Sequence, residues 1–207
     1  MSIHVGIYLF DDVEVLDFAG PFEVFSKASN LIWRDDPQAE PPFIVHTLSE
    51  DGQAVRARGG LEVNVQHSLS QHPTIDLLLI PGGVVNAEME KPSVIEWIQT
   101  SSASAQLTAS VCTGAFLLAQ AGLLTGRKVI THWEDVADLR AAFPDLEVIE
   151  GYRWVDSGDV VTSAGISAGI DMSLHLVSRL ANPALAERTA RQMDFDWHNQ
   201  GLDAPLA

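Results

Sequence analysis

The sequence of 207 residues has little cysteine, few basic residues and no long apolar run. Its single cysteine, Cys112, cannot form an internal disulfide, which excludes a disulfide-stapled secreted scaffold. Only 12 Lys and Arg residues accompany 28 acidic ones, a net charge of −16, which disfavours nucleic acid and anionic membranes as partners. No apolar run approaches the roughly 20 residues that cross a bilayer. The opening MSIHVGIYLF lacks the pattern of a signal peptide, so we expect a cytoplasmic protein.

Short apolar, β-branched runs alternate along the chain with segments of helical character. The predicted strands are 5–10, 43–48, 61–65, 76–80, 107–111, 128–131, 147–149, 153–156 and 160–162. The predicted helices are 21–28, 93–101, 114–121, 134–142, 168–180 and 183–193. Runs such as IDLLLI show no polar alternation, which is typical of parallel strands covered by helices on both faces.

This pattern predicts a single-domain, doubly wound α/β sandwich of the flavodoxin-like kind, with a mostly parallel sheet. The segment QAVRARGGLEVNV predicts an antiparallel edge hairpin that turns at Gly59–Gly60. We expect the α/β domain to comprise residues 1–197, followed by a loosely held C-terminal tail at 198–207. In such folds, binding sites lie beyond the carboxyl ends of the strands. The stretches DDVEVLDFAGP, PGG, CTGA and HW follow four predicted strands, so we expect them to converge.

Cys112 lies at the joint between a predicted strand and a predicted helix, in the stretch ASVCTGAFLL. A sharp turn there would hold the sulfur clear of the sheet, as in a nucleophile elbow. The unpaired N–H groups of the first helical turn favour the thiolate, so we expect a lowered pKa and a reactive thiol. The alternative is a buried core cysteine, because free cysteine is often fully buried.

Asp17 is the leading candidate for a proton partner. Pro21 favours the first helical position, which would put Gly20 at the N-cap and leave Asp17 upstream of the helix. Between Leu16 and Phe18, desolvation would raise the pKa of the Asp17 carboxyl. A helix N-cap is the structural alternative for this aspartate. Three other acidic residues are predicted to form a solvated turn: Asp11, Asp12 and Glu14.

Gly82 and Gly83 end a predicted buried strand, where backbone N–H groups could approach a ligand closely. A simple turn explains the PGG sequence equally well. His132 also ends a predicted strand and either lines the site or has a structural role. The seven histidines show no HExxH or other ligand spacing, so we predict no metal site. The run SAGISAGID is better explained by tight packing of a helix than by a phosphate loop.

Four stretches resemble the ThiJ/PfpI superfamily of class I glutamine amidotransferase-like proteins, and within it the isonitrile (isocyanide) hydratase branch. They are VLDFAGPFEVF, IPGG, SVCTGAFLLAQAGLLTGRKVITHW and TSAGISAGID. The resemblance extends from Ile3 to about Arg191. The pairing of SVCTG with a histidine–tryptophan strand end is also similar to the sensor domains of AraC-type regulators.

The resemblance implies that Cys112 is a nucleophile and Asp17 an acid/base group, with Thr113 hydrogen-bonding near the carboxylate. It also implies a pocket framed by Gly82 and Gly83, to which the strand-end position adds His132 as a candidate lining residue. Ile166 would pack beside the cysteine. No cofactor is implied, and the protein is expected to be a homodimer that acts on a small molecule. Aspartate replaces the glutamate of many relatives, and Thr113 replaces the histidine of the protease-like branch, which argues against peptidase activity.

The function that the resemblance implies is hydration of an isonitrile to an N-substituted formamide through a thioimidate. One alternative is glyoxalase or deglycase chemistry on 2-oxoaldehydes, which would benefit from a histidine that Thr113 does not supply. Another is a non-catalytic sensor with an oxidisable Cys112. The AraC-type relatives carry an additional helix-turn-helix region, and we expect none here after Met193.

Overall fold

The computed structural model describes residues 1–203, and its strands and helices are numbered here in chain order. Strands β1 to β12 are Ile3–Tyr8, Phe43–Ser49, Val55–Arg56, Glu62–Val63, His67–Ser68, Leu77–Ile80, Leu107–Val111, Lys128–Val129, Glu147–Val148, Trp154–Asp156, Val160–Ser163 and Gly201–Asp203. Helices α1 to α7 are Val15–Asp35, Asn86–Met89, Pro92–Ser104, Gly114–Gln120, Val136–Ala142, Ala168–Leu180 and Pro183–Gln192. The predicted alternation of strands and helices is therefore present.

Eight strands form the main sheet, in the order β12-β10-β11-β7-β6-β1-β2-β5. The central run β2-β1-β6-β7-β11 is parallel and has the flavodoxin-like order: β2 is added on one side of β1, and the later strands β6, β7 and β11 are added on the other side. All four residues of β6 are buried, as expected for a strand covered on both faces. The predicted doubly wound α/β fold is confirmed.

Helices cover the sheet in two groups. Helices α1, α6 and α7 contact one another, whereas α2, α3 and α4 form a second set of mutual contacts. Helix α1 packs beside β2 through a buried stripe that includes Phe18, Val24 and Phe25. Among the described residues, no helix combines the length and the apolarity that a bilayer crossing requires.

Helix α1 begins at Val15, six residues before the predicted start. The prediction that Pro21 occupies the first helical position, with Gly20 as cap and Asp17 upstream, is wrong. Pro21 lies inside the helix, and Asp17 lies in its first turn. A proline in a helix interior loses a backbone hydrogen bond. Burial of the long apolar face of α1 outweighs that loss.

The predicted hairpin at Gly59–Gly60 forms between β3 and β4, which pair antiparallel as a small separate sheet. Both glycines have positive φ, 76° and 87°. Within the main sheet, β10 runs antiparallel to β11 near one edge.

The C-terminal segment is attached to the sheet more firmly than the sequence predicts. Gly201–Asp203 form β12, which pairs parallel with β10. The backbone N–H of His198 donates a hydrogen bond of 2.7 Å to the buried carboxylate of Asp171. The expectation of a loosely held tail is therefore wrong up to Asp203, and residues 204–207 lie outside the described part of the chain.

Candidate active site

Four chain segments meet beyond the carboxyl ends of the parallel strands. They are the N-terminus of α1 with its cap residue Glu14, the loop after β6, the joint between β7 and α4, and the segment after β8. Together with the β3–β4 hairpin and the segment between β11 and α6, which supplies Ile166, they enclose a cavity of about 240 Å³. Its lining residues are Glu14, Arg58, Gly83, Cys112, Thr113, His132, Glu134, Asp135 and Ile166. The strand ends therefore converge as the fold class predicts.

Cys112 lies on a sharp turn between β7 and α4 and has a φ of 57°, in the left-handed region that few non-glycine residues adopt. Its N–H donates to the Ser163 carbonyl at 3.1 Å, and its carbonyl accepts from the Thr131 hydroxyl at 2.8 Å. A Cβ at the following glycine, Gly114, would overlap the Ile80 carbonyl. These contacts fix the elbow, and only 7% of Cys112 is exposed, at the cavity.

Asp17 is completely buried and only partly hydrogen-bonded. Its Oδ2 accepts a hydrogen bond of 3.0 Å from the Gly82 N–H, whereas Oδ1 has no partner of standard geometry among residues 1–203. Burial raises the pKa of this carboxyl to about 7, against the opposing effect of the Gly82 N–H. The neighbouring Cys112 thiol also lowers this pKa through hydrogen bonding. A carboxyl that titrates near neutral pH is suited to proton transfer.

The thiol of Cys112 has a raised pKa, contrary to the prediction. Burial and then the negative charge of Asp17 raise the pKa to about 12, and the Thr113 N–H opposes them. The predicted lowering relied on the start of α4, but that helix has only seven residues, and desolvation outweighs its effect. Above pH 7 the pair therefore holds a neutral thiol beside an ionised carboxylate.

The loop after β6 packs directly against Thr113. The Gly83 N–H donates to Thr113 Oγ1 at 2.8 Å, and this hydroxyl donates to the Gly83 carbonyl at 2.9 Å. The hydroxyl thus bonds to the loop and makes no hydrogen bond to Asp17 within residues 1–203. A Cβ at Gly82 would lie 2.6 Å from Thr113 Oγ1 and 2.9 Å from Asp17 Oδ2. Gly82 therefore permits the carboxylate and the elbow to approach each other, a role beyond that of a simple turn.

His132 and Ile166 both lie in the cavity lining. His132 Nδ1 accepts a hydrogen bond of 3.3 Å from the Glu134 N–H and lies 3.3 Å from Asp135 Oδ2. A Cβ at Gly165 would overlap the imidazole. Over residues 1–203 the histidine makes no hydrogen bond to Cys112, so its contacts position the loop after β8. Ile166 is about one-third exposed (36%) at the cavity mouth.

Sequence reasoning missed the ion pair at the cavity rim. Arg58 Nη1 lies 3.1 Å from Glu14 Oε2, and both side chains line the cavity. The prediction that Glu14 belongs to a solvated turn is wrong, because its side chain is only 23% exposed and faces the site. Arg58 arrives on the β3–β4 hairpin, far from the motifs in sequence. The glycine pair that predicted the hairpin was the only signal for it.

One cluster in the described residues has the composition of a metal site, and it lies away from the cavity. Asp156, His175 and Asp203 bring ligand atoms within 4.8 Å of one another. The Asp156 carboxylate already accepts hydrogen bonds from His175 at 2.7 Å and from Arg179 at 2.9 and 3.0 Å. A guanidinium bound to both oxygens competes directly with a cation, so this cluster is better explained as a structural network.

The chain matches the DJ-1/PfpI family over residues 3–179. It belongs to the DJ-1/PfpI family. An isonitrile hydratase of Pseudomonas putida is 30% identical over 198 residues, which cover 94% of this chain and 79% of that protein. A family structure from Pseudomonas syringae described as a ThiJ/PfpI protein superposes with a TM-score of 0.82 at 23% identity, covering 95% of this chain and 76% of that one. The latter likeness shows the fold.

Regulators also carry this family domain. The HTH-type transcriptional regulator CdhR of Pseudomonas aeruginosa is 33% identical over 147 residues, which cover 71% of this chain. The match spans only 44% of the regulator's own length. This chain is therefore similar both to an enzyme and to a transcriptional regulator.

Proposed function

We propose that this protein is a cysteine-dependent enzyme that hydrates isonitriles, R–N≡C, to N-substituted formamides, R–NH–CHO. The observation that carries the proposal is the pairing of the Cys112 thiol with an under-bonded Asp17 whose pKa is about 7. A buried thiol needs a base when it attacks, and a carboxylate that titrates near neutral pH can accept that proton and release it again. The relative from Pseudomonas putida supports the same reaction.

In the first half-reaction, Sγ of Cys112 bonds to the terminal carbon of the isonitrile. Asp17 takes the thiol proton and delivers it to the same carbon. The carbon gains one S–C and one C–H bond, the N≡C triple bond becomes a C=N double bond, and the product is a thioimidate, R–N=CH–S–Cys112. The carboxylate is regenerated, so this step needs no external acid.

In the second half-reaction, water adds to the thioimidate carbon. Asp17 accepts a proton from the water and passes it to the nitrogen, which gives R–NH–CH(OH)–S–Cys112. Collapse of this intermediate forms the formyl C=O bond, breaks the S–C bond and returns the hydroxyl proton to sulfur through Asp17. One water is consumed, and both catalytic groups return to their starting protonation states.

The protein around the pair orients it. The Gly82 N–H holds one carboxylate oxygen, which leaves Oδ1 free to exchange protons. The Thr113 N–H stabilises negative charge that develops on sulfur. Thr113 also ties the elbow to the Gly82–Gly83 loop through its hydroxyl. Besides their interaction with each other, Asp17 and Cys112 are each held by a backbone N–H, that of Gly82 and that of Thr113 respectively.

The test is formamide production from benzyl isonitrile by the purified protein, with Cys112→Ala as the inactive variant. We expect turnover by the wild type and a covalent adduct of the mass of the isonitrile on Cys112, trapped by acid quenching. Ser110→Ala, which removes a buried hydroxyl two residues earlier, is the matched control and should remain active. Equal turnover by wild type and Cys112→Ala would reject the proposal.

The two alternatives predict other outcomes. Glyoxalase or deglycase activity would appear as methylglyoxal consumption without isonitrile turnover. A redox sensor would show peroxide oxidation of Cys112, but the raised thiol pKa argues against it because thiolates are the species that oxidise.

We also propose that the protein forms a homodimer. Sedimentation equilibrium would test it directly. A mass near 22.4 kDa would indicate a monomer, and twice that mass the proposed dimer.

A further inference from the structure

A second cavity, of about 350 Å³, adjoins the one that holds Cys112. The two cavities share three lining residues, Gly83, Thr113 and Asp135. They therefore form one continuous groove beside the Cys112 elbow, which we call the trough. The proposed reaction uses the first cavity only. The second cavity lies between α2, the start of α4 and helix α5.

One wall of the second cavity is apolar and built into the fold. Val85 and Phe116 are 6% and 8% exposed, and Met89 packs against the hydrophobic core. The Phe116 ring is held edge-on against Phe143, with ring centroids 6.5 Å apart. The apolar wall therefore exists before any ligand binds, which favours an apolar group that fits it.

The charged groups of the trough are mainly carboxylates. Asp135 and Asp138 line the second cavity, and Glu14 and Glu134 line the first. Within the described lining, Arg58 is the single guanidinium or ammonium group, and it is paired with Glu14 at 3.1 Å. An anionic ligand would meet uncompensated negative charge, whereas a neutral or cationic one would not.

We propose that the second cavity binds the substituent R of the isonitrile, and that the substrates are isonitriles whose substituent is apolar and carries no negative charge. This inference rests on the proposed function. With the terminal carbon at Cys112, the substituent extends past Gly83 and Thr113 and packs on Val85, Met89 and Phe116. Asp135 and Asp138 repel a carboxylate at the far end of the substituent.

The test compares methyl, benzyl, 4-carboxybenzyl and 4-(aminomethyl)benzyl isonitrile. Burial of a phenyl ring should lower KM for the benzyl compound by roughly 10- to 100-fold relative to methyl. The carboxylate should raise KM at least roughly tenfold relative to benzyl, and the ammonium group should not. Equal KM values for the carboxylate and benzyl compounds would overturn the charge argument.

Variants locate the effect in the second cavity. Phe116→Ala should raise KM for benzyl isonitrile about tenfold and raise KM for methyl isonitrile much less, and Met89→Ala serves the same purpose if Phe116→Ala fails to fold. Phe22→Ala, which truncates an exposed phenylalanine of α1, is the matched control and should leave KM for both substrates as in the wild type. Asp138→Asn should reduce the difference in KM between 4-carboxybenzyl and benzyl isonitrile. Equal effects of Phe116→Ala and Met89→Ala on methyl and benzyl substrates would overturn the assignment.

Binding of the product analogues N-methylformamide and N-benzylformamide, measured by calorimetry, separates this inference from the proposed reaction. Benzyl-selective binding that Phe116→Ala removes, without any isonitrile turnover, would keep the cavity assignment and reject the reaction. Turnover without selectivity would reject the cavity assignment alone. Absence of both would reject both.

Discussion

Asp17 and Asp156 are both buried aspartates, at 0% and 7% exposure, and the protein treats them in opposite ways. Asp156 accepts hydrogen bonds from His175, from Arg179 Nη1 at both of its carboxylate oxygens, and from the Gly158 N–H at 2.9 Å. Asp17 accepts one hydrogen bond of standard geometry, from the Gly82 N–H. Both oxygens of the Asp156 carboxylate accept hydrogen bonds, whereas Oδ1 of Asp17 accepts none of standard geometry from residues 1–203.

The pKa values follow from this difference. Burial alone would raise the pKa of Asp156, but hydrogen bonds from His175 and Gly158 and the charge of Arg179 outweigh it, and the pKa falls. At Asp17 burial prevails, and the pKa rises to about 7. A saturated carboxylate holds structure together, whereas an under-bonded one can exchange a proton at neutral pH. The comparison thus separates a structural acid from a chemical one in a single chain.

The largest expected effect is that of Asp17→Asn on activity. Removal of the base should lower kcat/KM for benzyl isonitrile by about 10³-fold, within the range for general acid–base groups. The variant should not be less stable at pH 8. The folded-state pKa of about 7 exceeds the ordinary value of 3.8, so the wild type loses stability as pH rises through this range, and the amide lacks that loss. Unchanged kcat/KM would remove Asp17 from the mechanism.

The second effect is that of Asp156→Asn on stability. Loss of the charged partner of Arg179 should lower the free energy of unfolding by about 2 kcal/mol, a value reduced because the Arg179 side chain is 36% exposed. Urea denaturation at pH 7 measures this change. Activity of the folded variant should stay within about twofold of wild type, since Asp156 lies outside both cavities. A large loss of activity without loss of stability would contradict the structural assignment.

The third effect is the pH dependence of kcat/KM. Asp17 must be ionised to accept the thiol proton, so activity should fall about tenfold for each pH unit below 7 and level off above it. Because the pKa of the Cys112 thiol is so high, its ionisation should produce no second change in kcat/KM within the pH range in which the enzyme is assayed. A profile that instead rises through pH 8–9 would indicate that ionisation of Cys112 limits the reaction.

The smallest effect comes from the charges at the cavity rim. Glu14 raises the pKa of Asp17 and Arg58 lowers it. Glu14→Gln should therefore move the midpoint of the pH profile down, and Arg58→Gln should move it up, each by less than about one unit because both side chains are partly solvated. Shifts in the same direction for both variants would show that the midpoint does not belong to Asp17.

The sequence predicts the sheet well because buried strands leave continuous apolar runs. The prediction for 107–111 matches β7, and 168–180 matches α6. The predicted start of α1 is wrong because it relied on a local rule, proline at the first helical position. Burial of an apolar face along the whole helix outweighs that rule. Strand β12 fails because three residues with a glycine carry almost no pattern of their own, and pairing with β10 alone defines them.

At the site, the sequence identifies which residues meet but not how they ionise. Cys112, Asp17, Thr113 and the two glycines converge because each follows a parallel strand. The direction of the thiol pKa was missed because it depends on burial and on the charge of Asp17, which are properties of the assembled structure. Arg58 was missed because it reaches the cavity from a hairpin outside the parallel topology.

The left-handed backbone of Cys112 determines which residues the β7–α4 turn can hold without strain. A φ of 57° disfavours every side chain, by an amount on the order of 1 kcal/mol, so glycine is the residue that local energetics would select there. Replacement by glycine should relieve the backbone strain at this residue and abolish the proposed chemistry. Keeping cysteine at this position therefore lowers the stability of the fold, and the elbow fixes the direction from which a ligand can reach the sulfur.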